Sequence, residues 1–173
     1  SLPFPAYRLL PDFPRRYTLP LFSFPTAPNT SIISSRGCPY QCTFCSNPTM
    51  WTTRWIARDP DLLLDEMQHY QKVYGIENFD FYDLTAIVKK NWILDFCCKI
   101  EERGMKFTWQ LPSGTRSEAI DGEVAALLYK SGCRNMSYSP ESGSPTVLER
   151  IKKNIRDAAG EGARFGIERE RRF

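Results

Sequence analysis

The feature that most constrains the fold is a regular alternation of short apolar strands with amphipathic helices that end at glycine. The helix predicted over residues 59–74 is the clearest example. Asp59 can cap it, Pro60 suits its first turn, and Gly75 follows its end. Its apolar face recurs with the spacing i, i+4, i+7 and i+11 and comprises Leu63, Met67, Tyr70 and Tyr74.

Strand and helix units of this kind follow one another along the chain. The predicted strands cover residues 31–34, 78–82, 106–110 and 134–138, and the predicted helices cover 59–74, 88–103, 122–130 and 145–153. Strands separated by crossover helices pair in parallel, so the sequence predicts an α/β fold whose helix-covered sheet curls toward a barrel or lies flat. A full TIM barrel needs about 250 residues. We therefore expect a partial TIM-like (β/α) barrel of about four units, a truncated core.

This repeat divides the chain into three predicted parts. Residues 1–29 hold seven of the 13 prolines and should form an extended lead-in, because proline lacks an amide donor and disfavours helix and central strand. Residues 30–153 contain the strand and helix units. Residues 154–173 lose the apolar periodicity and become charged, so they are either a solvated tail or a segment whose true continuation is absent.

Composition narrows the class of protein. No apolar run approaches the about 18 residues of a membrane span, and the N-terminus lacks the order of a signal peptide. These patterns predict a cytoplasmic protein with reduced thiols rather than a disulfide framework. The net charge of +3 is spread along the chain without a basic stripe, so nucleic acid is not an expected partner.

Three of the six cysteines, Cys38, Cys42 and Cys45, lie within eight residues at the carboxyl end of the first predicted strand. Loops at that end surround the ligand site in parallel α/β folds. A structural zinc site usually has four ligands, and the only histidine, His69, lies on a distant helix. A ferredoxin closes its cluster with four cysteines, whereas three leave one iron open to a ligand. The spacing favours a catalytic 4Fe-4S site, with incidental thiols or another metal as alternatives.

The segment RGCPYQCTFC, with Phe44 before its last cysteine, is similar to the signature of the radical S-adenosylmethionine (SAM) superfamily. The stretches CSNPTMW, TTRWIARDPDLLLDEM, FDFYDL and GCRNMSYSPESGS follow in the order typical of the group in which a cobalamin-binding domain precedes the radical domain. The resemblance covers residues 30 to 153 and implies about four consecutive units of a six-unit core. The sequence shows no cobalamin-contacting motif, so we expect that domain to be absent from it.

The resemblance implies an enzyme in which Cys38, Cys42 and Cys45 ligate the cluster and its open iron chelates SAM. An electron from a low-potential donor of the flavodoxin or ferredoxin type would cleave SAM to methionine and a 5'-deoxyadenosyl radical. That radical would abstract hydrogen from a small organic molecule, in a methylation or cyclisation that depends on cobalamin if the group resemblance extends that far. The protein's part is to orient the cofactors and to exclude water.

Polar side chains follow the other three predicted strands. Asp83 follows the second strand and is placed to meet the SAM ammonium, with a turn residue at a helix entry as the alternative. Ser113 and Arg116 follow the third, and a guanidinium matches the SAM carboxylate, although a surface arginine is the other interpretation. Glu141 follows the fourth and is suited to both ribose hydroxyls, with helix capping as the alternative. Phe44 is assigned to the cofactor site by the resemblance alone.

Two other functions stay open at the level of sequence. One is a tRNA methylthiotransferase of the same superfamily, although such relatives carry further cluster and RNA-binding domains. The other is a catalytically inactive iron-sulfur-binding fragment, because a partial barrel lacks the far wall of the cofactor site.

Overall fold

The computed structural model describes residues 3–17, 28–116 and 119–153. Its strands are β1 (Asn29–Ile32), β2 (Ser35–Arg36), β3 (Ile56–Ala57), β4 (Asn78–Phe81), β5 (Thr108–Thr115) and β6 (Cys133–Tyr138). Its α-helices are α1 (Asn47–Met50), α2 (Pro60–Tyr74), α3 (Lys90–Glu102), α4 (Gly122–Lys130) and α5 (Pro145–Arg150).

Four strands form one parallel sheet in the order β1-β4-β5-β6, and β2 pairs with β3 in a separate antiparallel ladder. Strands that are successive along the sheet are joined by α2, α3 and α4, and these helices pack side by side. The parallel α/β arrangement predicted from the sequence is therefore confirmed. All four parallel strands point their carboxyl ends to the same edge, and this edge carries the loops described below.

Helix α2 shows why the local prediction succeeds. The Asp59 carboxylate accepts hydrogen bonds from the backbone N–H groups of Asp61 and Leu62, at 2.9 and 3.2 Å. Pro60 occupies the first turn, and Gly75 ends the helix in the left-handed conformation with φ of 66°. Each end of α2 is fixed by a capping residue that can be recognised in the sequence, so capping rules predict where the helix begins and ends.

Strand β5 differs from its prediction. It runs from Thr108 to Thr115, whereas residues 106–110 were expected. Pairing with β6 continues beyond Pro112, which has no amide to donate, because the register shifts between Leu111 and Thr115. The prediction that Ser113 follows the strand is therefore wrong, since Ser113 lies within β5.

The apolar core lies between the sheet and the helices. Phe81 of β4 and Trp109 of β5 both contact Phe96 of α3, with ring centroids 5.8 and 5.6 Å apart. Side chains of α2, α3 and α4 complete the cluster, which includes Leu63, Leu64, Met67, Tyr70, Ile93, Phe96, Ile100, Val124 and Leu128. The side chains predicted to face inward on α2 are thus buried except for the partly buried Tyr74.

The opposite face of the sheet carries a polar row. Asp80 of β4 pairs in register with Gln110 of β5, which pairs in turn with Asn135 of β6. Gln110 donates to the Asp80 carboxylate, and Asn135 donates to the Gln110 carbonyl at 3.2 Å. Burial raises the pKa of Asp80 above its ordinary value. In a TIM barrel the corresponding face lines the barrel interior and usually carries branched apolar side chains. The buried polar row of this sheet departs from that pattern.

Residues 3–17 pack against α2 through aromatic rings. Tyr7 stacks on Phe13 with ring centroids 4.3 Å apart, and these rings contact Tyr70 and Tyr74 at 5.2 and 5.1 Å respectively. Residues 18–27 of the predicted lead-in and the predicted tail at 154–173 lie outside the described residues. In the described part of the chain, no helix combines the length and the apolar character needed to cross a membrane.

Candidate functional site

The three closely spaced cysteines lie on one long excursion from the sheet, residues 37–55, which we call the cluster loop. Its neck is the β2/β3 ladder, in which Ser35 pairs with Ala57 and Arg36 pairs with Ile56. Gly37 stands directly inside this neck with φ of 77°, and a Cβ there would overlap the Arg54 carbonyl oxygen. The two arms of the loop therefore meet backbone to backbone, which only glycine allows at this position.

Within the cluster loop the thiols are free and accessible. Cys38 and Cys42 are partly exposed, and Cys45 is exposed. The Cys45 amide donates to the Cys42 carbonyl at 3.0 Å, and the Asn47 amide donates to the Cys45 sulfur at 3.4 Å. The Asn47 side chain also donates to the Cys38 carbonyl at 3.0 Å. The buried Asn47 thus ties the first cysteine to the third from inside the loop.

The three thiols are a donor set of the kind that holds an iron-sulfur cluster. In the part of the chain that the structure describes, no three acidic, cysteine or histidine side chains converge as ligands of one metal ion. Burial raises the pKa of the Cys38 thiol, and its Cys42 and Cys45 neighbours add to the rise, whereas Arg116 opposes it. The donor set, three free thiols on one accessible loop, fits a 4Fe-4S cluster with one open iron.

Asp83 lies at the carboxyl edge as predicted, but its carboxylate faces the neck of the cluster loop. It accepts hydrogen bonds from the backbone N–H and the hydroxyl of both Ser34 and Ser35. The residue is only 2% exposed. Burial raises the pKa of Asp83, and the four donors act in the opposite direction. The structure therefore places Asp83 at the neck of the cluster loop, with its carboxylate shielded from solvent.

Ser113 joins the same corner from β5. Its hydroxyl donates to the backbone carbonyl of Asp83 at 2.6 Å. Its position inside the strand explains this contact, because β5 lies next to β4 in the sheet. Ser113 is therefore linked through Asp83 to the neck of the cluster loop.

Arg116 follows β5 and reaches the cluster loop directly. Its guanidinium carbon lies 3.6 Å from the ring centroid of Tyr40, which stands between Cys38 and Cys42. Arg116 is 8% exposed, so this cation–π contact is largely shielded from water. The structure excludes a freely solvated surface arginine at this position and sets the positive charge beside the thiols.

Glu141 lies in the turn after β6 with φ of 63°, and its carboxylate is 2.7 Å from the Lys153 ammonium. That ammonium also lies 6.0 Å from the ring centroid of Phe44, which is 58% exposed. The Thr43 amide donates to the Ile151 carbonyl at 3.0 Å. The segment after α5 therefore contacts the tip of the cluster loop and carries Glu141 beside it.

The residues predicted for the site thus gather around the cluster loop: Arg116 and Glu141 lie at the loop itself, whereas Asp83 and Ser113 lie at its neck. Their roles toward a cofactor stay predictions. Three contributors were missed by sequence reasoning: Tyr40, Asn47 and Lys153. Tyr40 lies between two of the cysteines and Asn47 lies two residues after the third, so their positions could have indicated a place in the site. Lys153 falls at the end of a predicted helix, where nothing in the sequence indicates a role in the site.

A family profile described as the radical SAM superfamily matches residues 32–162. This span contains the cluster loop and the carboxyl ends of the four parallel strands. The chain therefore belongs to the radical SAM superfamily, and the prediction made from its motifs is confirmed.

Curated relatives include methyltransferases. The chain is 29% identical over 172 residues to PH0819, an uncharacterized methyltransferase of Pyrococcus horikoshii, covering 96% of this chain and 36% of that protein. It is 30% identical over 124 residues to bacteriochlorophyllide d C-12(1)-methyltransferase of Chlorobaculum tepidum, covering 70% of this chain and 26% of that protein. The chain spans about a third or less of the length of these two relatives.

Solved structures share the fold. TsrM, a radical SAM methyltransferase from Kitasatospora setae with cobalamin and a [4Fe-4S] cluster bound, aligns with a TM-score of 0.59 and 22% identity, covering 73% of this chain and 25% of that one. OxsB, a cobalamin-dependent SAM radical enzyme with aqua-cobalamin and SAM bound, aligns with a TM-score of 0.61 and 20% identity, covering 72% and 20%. At these identities the likeness shows the fold alone, and it confirms the predicted partial barrel.

Proposed function

We propose that this chain is the catalytic core of a radical SAM enzyme in which Cys38, Cys42 and Cys45 hold a 4Fe-4S cluster. The observation that carries the proposal is the cluster loop itself. Its three free thiols stand at the carboxyl edge of a parallel sheet, where this class of fold places its ligand site. When bound, the cluster supplies the electron that cleaves SAM and yields the radical.

Arg116, Glu141 and Phe44 fit SAM as the second occupant of the site. Arg116 brings a guanidinium beside the thiols, where it can pair with the SAM carboxylate. Glu141, held by Lys153, presents a partly exposed carboxylate to the ribose hydroxyls. Phe44 offers an exposed ring beside them as an apolar wall. These residues bind and orient SAM, whereas the bond cleavage belongs to the cofactors.

We propose a small organic substrate and a methylation or cyclisation as the reaction. The named relatives support this class. They include PH0819, the bacteriochlorophyllide methyltransferase and an anaerobic magnesium-protoporphyrin IX monomethyl ester cyclase of Rubrivivax gelatinosus, which is 25% identical over 119 residues. Cobalamin is proposed as a further cofactor, held by a separate domain, and a flavodoxin or ferredoxin is proposed as the electron donor.

The test is anaerobic reconstitution of the chain with iron and sulfide, followed by incubation with SAM and dithionite. We expect about four irons per chain and release of 5'-deoxyadenosine. Cys42→Ala should hold fewer irons and release none. Cys98→Ala is the matched control, because Cys98 is an exposed thiol on α3. An intact cluster in Cys42→Ala would contradict the ligand set. A full cluster that binds no SAM would instead favour an inactive iron-sulfur-binding fragment.

A further inference from the structure

The carboxylate of Asp83 accepts hydrogen bonds from the strand that leads into the cluster loop, most of them on Oδ1. The Ser34 amide lies 3.1 Å from each carboxylate oxygen, and the Ser34 hydroxyl lies 3.0 Å from Oδ1. The Ser35 hydroxyl lies 2.6 Å from the same oxygen, and the Ser35 amide donates to it as well. Two adjacent residues thus direct four donors at one carboxylate that is 48 and 49 residues away in sequence.

These two serines control the direction in which the chain leaves the sheet. β1 ends at Ile32, and Ser35 begins β2, the first strand of the neck. Cys38 follows only three residues after Ser35. The Arg58 amide donates to the Ser34 carbonyl at 2.8 Å, so the returning arm of the loop is fixed to the same point. The position of Ser34 and Ser35 therefore sets where the first cysteine begins.

Asp83 is itself held rigidly enough to act as an anchor. Its backbone carbonyl accepts the Ser113 hydroxyl at 2.6 Å, which links it to β5. Its neighbour Thr85 provides a carbonyl to the Trp55 indole N–H at 3.1 Å and to the Ser35 hydroxyl at 3.3 Å. The segment after β4 is therefore attached to the first strand of the neck, to the returning arm of the cluster loop and to β5.

A direct contact between Asp83 and the SAM ammonium conflicts with this arrangement. The residue is 2% exposed, and its Oδ1 already accepts from four serine donors, so an ammonium would have to enter a closed site and compete with those donors. Buried donors that lose their acceptor are strongly unfavourable. The geometry instead favours a role in which Asp83 fixes the strand that leads into the cluster loop.

We propose that Asp83 is a positioning residue that anchors the entry strand of the cluster loop through Ser34 and Ser35, and that it does not contact SAM. This inference rests on the proposed function only in assuming that the loop holds a cluster. The anchoring itself is a property of the protein without metal, and it can be measured there.

The first experiment uses hydrogen exchange in the metal-free chain. Asp83→Asn replaces an acceptor oxygen by an amide group that faces hydrogen-bond donors. The rate of amide exchange across residues 34–46 should therefore rise about tenfold or more, seen as faster deuterium uptake. Ser35→Ala should produce the same change to a smaller degree, and the double variant should add little to Asp83→Asn. Asp80→Asn, a buried carboxylate on β4 that does not contact the loop, is the control and should leave this uptake unchanged. Uptake of α4 verifies that each variant is folded.

The second experiment uses the reconstituted chain. Asp83→Asn and Ser35→Ala should both lose iron to a chelator several-fold faster than the wild type and broaden the electron paramagnetic resonance signal of the reduced cluster. SAM affinity of the clusters that remain should be unchanged. Unaltered exchange and chelation rates with SAM affinity weakened about tenfold would overturn the proposal and restore direct cofactor contact. A wild-type chain that holds no cluster would refute the proposed function, whereas the exchange experiment would still decide the anchoring role.

Discussion

The ammonium of Lys153 lies 2.7 Å from Oε1 of Glu141 and joins the segment after α5 to the turn after β6. The Lys153 side chain is 8% exposed, against 35% for Glu141. The lysine is therefore the buried member of the pair, and the carboxylate is the member that reaches solvent. Since Lys153 also faces the ring of Phe44, it orients Glu141 beside the cluster loop.

Replacing this lysine tests whether Glu141 binds SAM. Lys153→Met keeps the apolar stem but frees the carboxylate to rotate, so SAM affinity should fall about tenfold, equal to about 1.4 kcal/mol. Iron content should stay that of the wild type. Titration of SAM into the reduced, reconstituted chain measures the affinity. The control is Lys152→Met, an exposed neighbour. Equal affinities in the two variants would refute the orienting role.

Arg116 and Tyr40 provide a second test at the cluster loop. Arg116→Lys loses the planar group that stacks on the ring and should lower the free energy of unfolding by about 1 kcal/mol. It should also weaken SAM binding, because the fork that suits a carboxylate is removed. Urea unfolding with Tyr40→Leu and the double variant isolates the pair.

The matched control for this pair lies elsewhere on the molecule. Arg134 stands 4.6 Å from the ring centroid of Tyr129, an exposed residue on α4. Arg134→Lys should change stability less than Arg116→Lys, because the contact is more exposed to water, and it should leave SAM affinity unaltered. If both lysine variants bound SAM alike, the assignment of Arg116 to the carboxylate would be wrong.

Local signals predicted most of the fold. Caps and periodicity located α2 and α4, because those bounds depend on neighbouring residues, and the cysteine spacing located the cluster loop. The extent of β5 could not be predicted, since Pro112 disfavours a strand locally and only pairing with β6 carries the strand past it. Tertiary pairing overrides local preference at such positions.

The site was predicted less completely than the fold, for a related reason. Sequence position showed that Asp83 stands at a strand end, but its partners are 48 and 49 residues away and depend on the register of β1 and β4. The pairing of Lys153 with Glu141 likewise depends on how α5 folds back. Spacing identifies which residue types meet at an edge, whereas side-chain direction follows only from packing.

The buried carboxylate of Asp80 predicts a pH dependence of stability. Burial raises its pKa in the folded chain above the ordinary value of 3.8. The folded state therefore keeps a proton that the unfolded state has lost, and stability falls as pH rises from 3.8 through the raised pKa. Asp80→Asn removes this effect, so its stability relative to the wild type should increase with pH across that window. Urea unfolding at several pH values measures it.

Asp61 provides the control of opposite sign. Hydrogen bonds from Lys99 and Arg103 lower its pKa below the ordinary value of 3.8. The ionised Asp61 carboxylate stabilises the folded state above pH 3.8, and this stabilisation is lost as pH falls through the lowered pKa. Asp61→Asn should therefore become less stable than the wild type as pH rises. Parallel trends in the two variants would contradict the burial of Asp80 as the cause.

The neck of the cluster loop offers a test that depends on backbone alone. Gly37→Ala would force a Cβ into the carbonyl of Arg54, at a residue whose φ is already 77°. We expect the two arms to separate, with markedly lower iron retention after reconstitution and lower stability. Gly75→Ala is the matched control, because its φ is 66° but nothing lies within 4 Å of the added carbon. Gly75→Ala should lower the free energy of unfolding by about 1 kcal/mol through backbone strain and leave the iron content unchanged. Iron content and urea unfolding separate the two outcomes, and equal iron in both variants would show that the cluster does not require a closed neck.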